Sequence, residues 1–134
     1  MTKAYLNPPD LFASRPYGFS QAVVASGSRV VYCSGQVAWD ENEEIGAPDN
    51  LAEQARRSLR NVERVLSAAG GTLADVVSLR IYIVGEHIRN GPAIRAALLD
   101  IFGAESPPAT TWIGVAALAN PEFIVEIEAI AVLE

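Results

Sequence analysis

From Ser106 to Glu134 the chain reads SPPATTWIGVAALANPEFIVEIEAIAVLE, two apolar runs broken by Asn120-Pro121, and this stretch limits the fold more than any other. Pro107-Pro108 imposes an extended entry, after which Thr110, Trp112 and Gly114 fall on one side of a strand running from Ala109 to Leu118. Asn120-Pro121 is turn chemistry, and Phe123 to Leu133 is the final strand. Two-residue alternation on that strand puts Ile124, Glu126, Glu128, Ile130 and Val132 on a common face. A carboxylate among apolar neighbours must be paired, hydrogen-bonded or shifted in pKa, because an isolated charge in a low-dielectric site costs several kcal/mol or more. Glu126 and Glu128 are therefore either partly solvated guards of a strand face or groups with a chemical task, and spacing alone does not choose.

The rest of the chain supplies what such strands must pack against. Residues 1–18 hold three prolines and no periodicity, which predicts an extended lead-in ending at Tyr17-Gly18. Phe19–Ala25 and Arg29–Ser34 are short β-branched runs separated by Ser26-Gly27-Ser28, the spacing of a β-hairpin. Gly35 closes the second run, where a missing side chain lets a ligand or another backbone approach. Residues 36–49 read as a loop whose Asp40, Glu41, Glu43 and Glu44 lack the glycine and spacing of a calcium site and suit a solvated face.

From Leu51 to Ala69 the positions Leu51, Ala55, Leu59, Val62, Leu66 and Ala69 recur at helical spacing opposite a row of arginines, with Asn50 and Glu53 placed as a capping box and Gly70-Gly71 as the stop. Val76–Val84 alternates as a strand, Val77, Leu79, Ile81 and Ile83 against Ser78, Arg80 and Tyr82. Pro92 opens a second helix carried by Ile94, Ala97, Leu98, Ile101 and Phe102 and ended by Gly103. His87 lies in the connector before it, where a solvent-facing structural role is expected. The predicted order is β-β-(short β)-α-β-α-β-β, an α+β fold with a mixed sheet and both helices on one face.

At 134 residues the chain suits one domain spanning 1–134. Its 50% hydrophobic content exceeds what one core of this size readily hides, which predicts subunit contacts. A net charge of −6 and a pI near 4.7 argue against nucleic acid and against anionic membranes. No run approaches the roughly 18 apolar residues of a membrane span, and no signal-like segment opens the chain, so a cytoplasmic protein is expected. One cysteine, Cys33, and one histidine, His87, are too few for a structural zinc site, so no metal is expected.

Several blocks together resemble the Rid family, the reactive intermediate deaminases also called YjgF. They are Tyr17 with Ser20-Gln21-Ala22-Val23, Val31-Tyr32-Cys33-Ser34-Gly35-Gln36, Glu53-Gln54-Ala55-Arg56, Ala68 through Val77, and Val125-Glu126-Ile127-Glu128-Ala129-Ile130-Ala131-Val132. The resemblance runs from about Tyr5 to the C-terminus in order and spacing. It implies a chorismate-mutase-like subunit in a homotrimer with a barrel-like core, and small-molecule sites in clefts between neighbouring subunits. Active members of that family hydrolyse amino-acid imines and enamines to keto acid and ammonia without metal or organic cofactor. The family's glutamate on the last strand, with a backbone carbonyl, positions the attacking water, and an arginine after Pro-Ala holds the substrate carboxylate.

Residue by residue, the resemblance makes Glu126 the water-handling carboxylate, Tyr17 the aromatic at the cleft mouth and Ser34-Gly35 the backbone lining. The arginine is missing: Pro108-Ala109 is followed by Thr110, and Trp112 stands two further on. Losing a bidentate carboxylate clamp removes a charge-assisted contact of roughly 1.5–3 kcal/mol. Arg95, where active relatives usually carry asparagine, is a candidate replacement from the second helix.

Two functions follow as expectations. One is an imine- or enamine-processing enzyme with an atypical substrate, using Glu126 as general base with Tyr17, Ser34, Gly35, Arg95, Thr110 and Trp112 around the ligand. The other is a non-catalytic or regulatory trimer that binds a metabolite in the same clefts. Ribonuclease activity, sometimes attributed to relatives, is disfavoured by the acidic balance and by His87 lacking an evident partner.

Overall fold

Leu51–Ala68 forms the long helix α1, and its local chemistry explains both ends. The Asn50 side chain accepts the Glu53 backbone N–H at 3.0 Å, so the cap forms, although the Asn50 N–H goes to Ala47 O rather than back to the Glu53 carboxylate. The reciprocal capping box occurs elsewhere, between Thr72 and Asp75 at the turn leading into the next strand. Gly70 ends the helix in a left-handed conformation, φ +84°, that few other residues adopt.

The computed structural model describes residues 2–134. In chain order the strands are β1 Thr2–Leu6, β2 Ala22–Ser26, β3 Arg29–Gln36, β4 Val76–Val84, β5 Ala109–Val115 and β6 Val125–Leu133, with α1 between β3 and β4 and α2 (Gly91–Phe102) between β4 and β5. Four strands make the main sheet in the order β3-β6-β4-β5, with β4 and β5 parallel and the other pairs antiparallel. This is the mixed sheet with two helices on one face that the sequence predicts.

The hairpin expectation is corrected by the pairing. β2 pairs with β1, Tyr5 opposite Val23, while β3 pairs with β6. Ser26-Gly27-Ser28 thus turns the chain from one sheet into another, and Gly27 packs so closely on the end of β6 that a Cβ there would lie 2.6 Å from Leu133 O. The lead-in is corrected too: it contains the strand β1 and a 3-10 turn at Arg15–Tyr17. Residues 37–49 form the expected loop, pinched by a bridge between Trp39 and Ile45.

The core lies between the sheet and the helices. Leu59, Val62 and Leu66 of α1 and Ile94, Ala97 and Leu98 of α2 are buried against Leu79, Ile81 and Ile83 of β4 and Val125, Ile127, Ala129, Ala131 and Leu133 of β6. Each buried valine, leucine or isoleucine among them contributes about 1.5–3 kcal/mol relative to exposure, and each alanine less. A register shift between Val76 and Ser78 buries Val76 rather than Val77 at the start of β4. Gln54, fully buried on α1, donates to Glu122 O at 3.1 Å and accepts from Ile124 N at 3.2 Å. That side chain fixes where β6 begins, and with it the height of Glu126.

Register settles which side chains share a face. Leu79 opposes Ala129 and Thr110, and Ile81 opposes Ile127 and Trp112, so Thr110 and Trp112 project from the helix-covered face. Tyr82 opposes Glu126 and Arg80 opposes Glu128, on the other face. On that open face Val30 and Tyr32 of β3, paired with Val132 and Ile130, remain 49% and 78% exposed.

Candidate active site

The expected site residues fall into two groups. One forms around Gly18, whose left-handed φ of +98° and contact with α2, where an added Cβ would meet Leu98 Cβ at 2.7 Å, seat Tyr17 beside that helix. There the Arg95 guanidinium stacks over the Tyr17 ring, 5.4 Å from its centroid. Ser20 clamps the start of β5: its backbone N–H donates to Pro108 O at 3.0 Å and its buried hydroxyl to Pro107 O at 2.5 Å. This brings Phe19 edge-on to Trp112, ring centroids 5.9 Å apart.

Phe12, Tyr17, Phe19, Thr110 and Trp112 then line an open cavity of about 480 Å3. Phe12 sits edge-to-face with both Tyr17 and Phe19 at 6.3 and 6.0 Å. Trp112 Nε1 donates to Thr110 Oγ1 at 3.1 Å, which leaves the threonine proton free to donate. Phe12 and Phe19 were not among the expected site residues; the only sequence signal for them is three aromatics at positions 12, 17 and 19.

The second group sits across the sheet. Between Cys33 and Gln36 on β3, three residue steps oppose two on β6, and the extra residue makes a bulge containing Ser34 and Gly35. The Glu126 side chain fills the space this opens: a Cβ on Gly35 would lie 2.3 Å from Glu126 Oε2 and 2.8 Å from its Cγ and Cδ. Glu126 and Glu128 are half-buried on the open face, outside the apolar core. Glu128 is occupied: it accepts the Tyr82 hydroxyl and lies 3.8 Å from Arg80 Nη1. The hydrogen bond to that carboxylate, with burial and the negative charge, raises the Tyr82 phenol above its ordinary value of 10.0. Among the described residues no hydroxyl or guanidinium holds Glu126 in the same way.

Thr110 and Trp112 thus leave the sheet on one side and Glu126 on the other, with β4 between them. Within one chain the two groups cannot face a common ligand. Among the described residues no group of three or more His, Cys, Asp or Glu side chains gathers to hold a metal ion. No helix of the described residues is long and apolar enough to cross a membrane. His87 is half-buried in a 3-10 turn at Gly85–Arg89. Burial raises the Cys33 thiol above its ordinary range.

Comparisons with known proteins agree with the sheet, the helices and the blocks that carry them. The endoribonuclease L-PSP family matches residues 12–133, and the chain belongs to this family, the Rid or YjgF group. A 2-iminobutanoate/2-iminopropanoate deaminase of Dermatophagoides farinae is 35% identical over 126 residues, covering 91% of each chain. A Rid-family protein of unknown function from Yersinia pestis superposes with a TM-score of 0.92 at 41% identity, over 99% of this chain and 100% of that one. A YjgF-family member from Mycobacterium tuberculosis gives a TM-score of 0.66 at 31% identity, over 98% and 100%.

Proposed function

We propose that the protein hydrolyses imines or enamines of amino-acid type, in sites completed between copies of the chain in a homotrimer. The observation that carries this reading is the placement of Glu126 and of the Tyr17–Trp112 cavity on opposite faces of one sheet. Such half-sites become one site when the open face of a neighbour meets the cavity side of the next copy. The exposed Val30 and Tyr32, the half-buried Ile130 and Val132, and a hollow of about 200 Å3 beside Tyr32, Arg80 and Glu128 suit that open face to burial against another subunit.

In the proposed reaction the Glu126 carboxylate accepts a proton from water, and the water oxygen bonds to the imine carbon. The π electrons move to nitrogen, which takes up a proton. The hydroxyl proton of the resulting amino alcohol passes by way of the Glu126 carboxylate to the nitrogen, the carbon–nitrogen bond breaks as the carbonyl forms, and ammonia leaves beside the keto acid. A single placed base contributes about 10²–10⁴-fold to such a step. Gly35 leaves room for the carboxylate, Ser34 and Gly35 present backbone to the ligand, and Thr110 has a proton to donate.

Arg95 takes the role of carboxylate anchor. Among the described residues every other arginine has a hydrogen-bond or ion-pair partner: Arg15, Arg29, Arg56, Arg57, Arg60, Arg64, Arg80 and Arg89. Arg95 has only the Tyr17 ring, which engages its face and leaves all five N–H donors for a ligand. The pairing of the other arginines also leaves no free basic stripe for RNA.

The test is ammonia release from amino-acid imines generated in situ. Wild-type acceleration that disappears in Glu126→Gln supports hydrolysis, and no acceleration on any imine contradicts it. A second reading, a binding or regulatory trimer, is favoured by Trp112, whose ring occupies the side of Thr110 and engages its hydroxyl. Thermal stabilisation by a metabolite without turnover of any imine would select it.

A further inference from the structure

The cavity on the helix-covered side is lined by four aromatic rings and one threonine, and its lining carries no charge. Resting on the reading that this cavity is half of an imine-hydrolysing site, we infer that the substrates are 2-imino acids with a flat, ring-bearing side chain. The rings of Tyr17, Phe12, Phe19 and Trp112 follow one another edge to face, with successive centroids 6.3, 6.0 and 5.9 Å apart. Such a chain presents both ring faces and ring edges to an occupant, the two surfaces that a further aromatic ring complements.

Position and charge divide the ligand between the two walls. Thr110, at the place where a clamp for the carboxylate would stand in the resemblance, offers one hydroxyl already bonded to Trp112 Nε1, so this wall cannot neutralise an anion. The free guanidinium of Arg95 lies on the Tyr17 ring at the cavity's edge. A carboxylate held there places the attached side chain among the rings. An open volume of about 480 Å3 is large for a methyl or ethyl side chain and accommodates a phenyl or indolyl group. The rings are also accessible: Phe12 is 61% and Tyr17 48% exposed in the single chain.

The experiment uses stable keto acids, so that binding is read apart from turnover. Calorimetry of the wild-type protein with phenylpyruvate and with pyruvate should give affinities that differ by about tenfold or more in favour of phenylpyruvate. In Phe19→Ala the preference should fall to about threefold or less, and Phe12→Ala, a change at an exposed side chain, should do the same if the first variant fails to fold. Equal affinities, tighter binding of pyruvate, no binding of phenylpyruvate, or a preference unchanged in Phe12→Ala would overturn the inference. Imine hydrolysis that favours the alanine-derived substrate would overturn it while leaving the proposed function standing. Ring-selective binding without hydrolysis of any imine would overturn the proposed function, and with it the assignment of imines as substrates, while leaving the cavity's preference for a ring.

Discussion

Gly35 and Glu126 share one space: the carboxylate lies where a Cβ on residue 35 would be, 2.3 Å from Oε2. The overlapping atoms belong to the far end of a flexible side chain, so Gly35→Ala should displace the carboxylate rather than unfold the sheet. A shift of about 1 Å in a catalytic group costs on the order of 10²-fold. The expected result is a loss of imine hydrolysis of that order with a melting temperature close to wild type. A variant that keeps full activity would remove Glu126 from the reaction.

Arg95 lies on the exposed side of α2 and packs only on the Tyr17 ring, so Arg95→Ala should lower thermal stability only slightly. Losing a charge-assisted contact to a carboxylate should weaken ligand binding by about 10- to 100-fold, measured by calorimetry with keto acids. Unchanged affinity for every carboxylate that binds would rule out the anchor.

Tyr82 and Glu128 give a pH dependence whose sign follows from the raised phenol. A group with its folded pKa above the unfolded value contributes stability below the unfolded pKa and loses it as pH rises through the folded one. Wild type should therefore exceed Tyr82→Phe in stability at neutral pH, and the difference should shrink as pH climbs past the ordinary phenol value of 10.0. Chemical denaturation of both proteins between neutral and strongly alkaline pH checks this.

Thr110→Arg restores a cation at the position where the Rid resemblance expects one, but it also breaks the bond from Trp112 Nε1. Combined with Trp112→Cys, which clears the ring, it should raise hydrolysis of small imines relative to wild type. No gain in the double variant would mean that the site differs in more than its clamp.

Much of the fold was legible because the long elements are periodic. The α1 stripe, the alternation of β4 and the face shared by Glu126 and Glu128 all follow from side-chain spacing. The strand Thr2–Leu6 was not, since its pairing with β2 is long-range and the prolines behind it read as an unstructured lead-in. The hairpin failed for a related reason: a turn sequence fixes chain reversal, whereas the partner of each strand is fixed by packing elsewhere, here β1 and β6. At the site, the family resemblance pointed to Tyr17, Thr110 and Trp112 individually. It could not indicate that Phe12 and Phe19 join them, nor that the register of β4 and β5 turns them away from Glu126.

The claim that the active site is shared between copies is tested most directly by mixing two defective chains. Glu126→Gln and Arg95→Ala, each impaired alone at low substrate concentration, are unfolded together in equal amounts and refolded. Random assortment in a closed ring joins an intact Glu126 to an intact Arg95 at about one quarter of the sites. The account predicts that imine hydrolysis recovers to about a quarter of wild type by the same arithmetic. Activity no higher than that of the two variants refolded separately would contradict it.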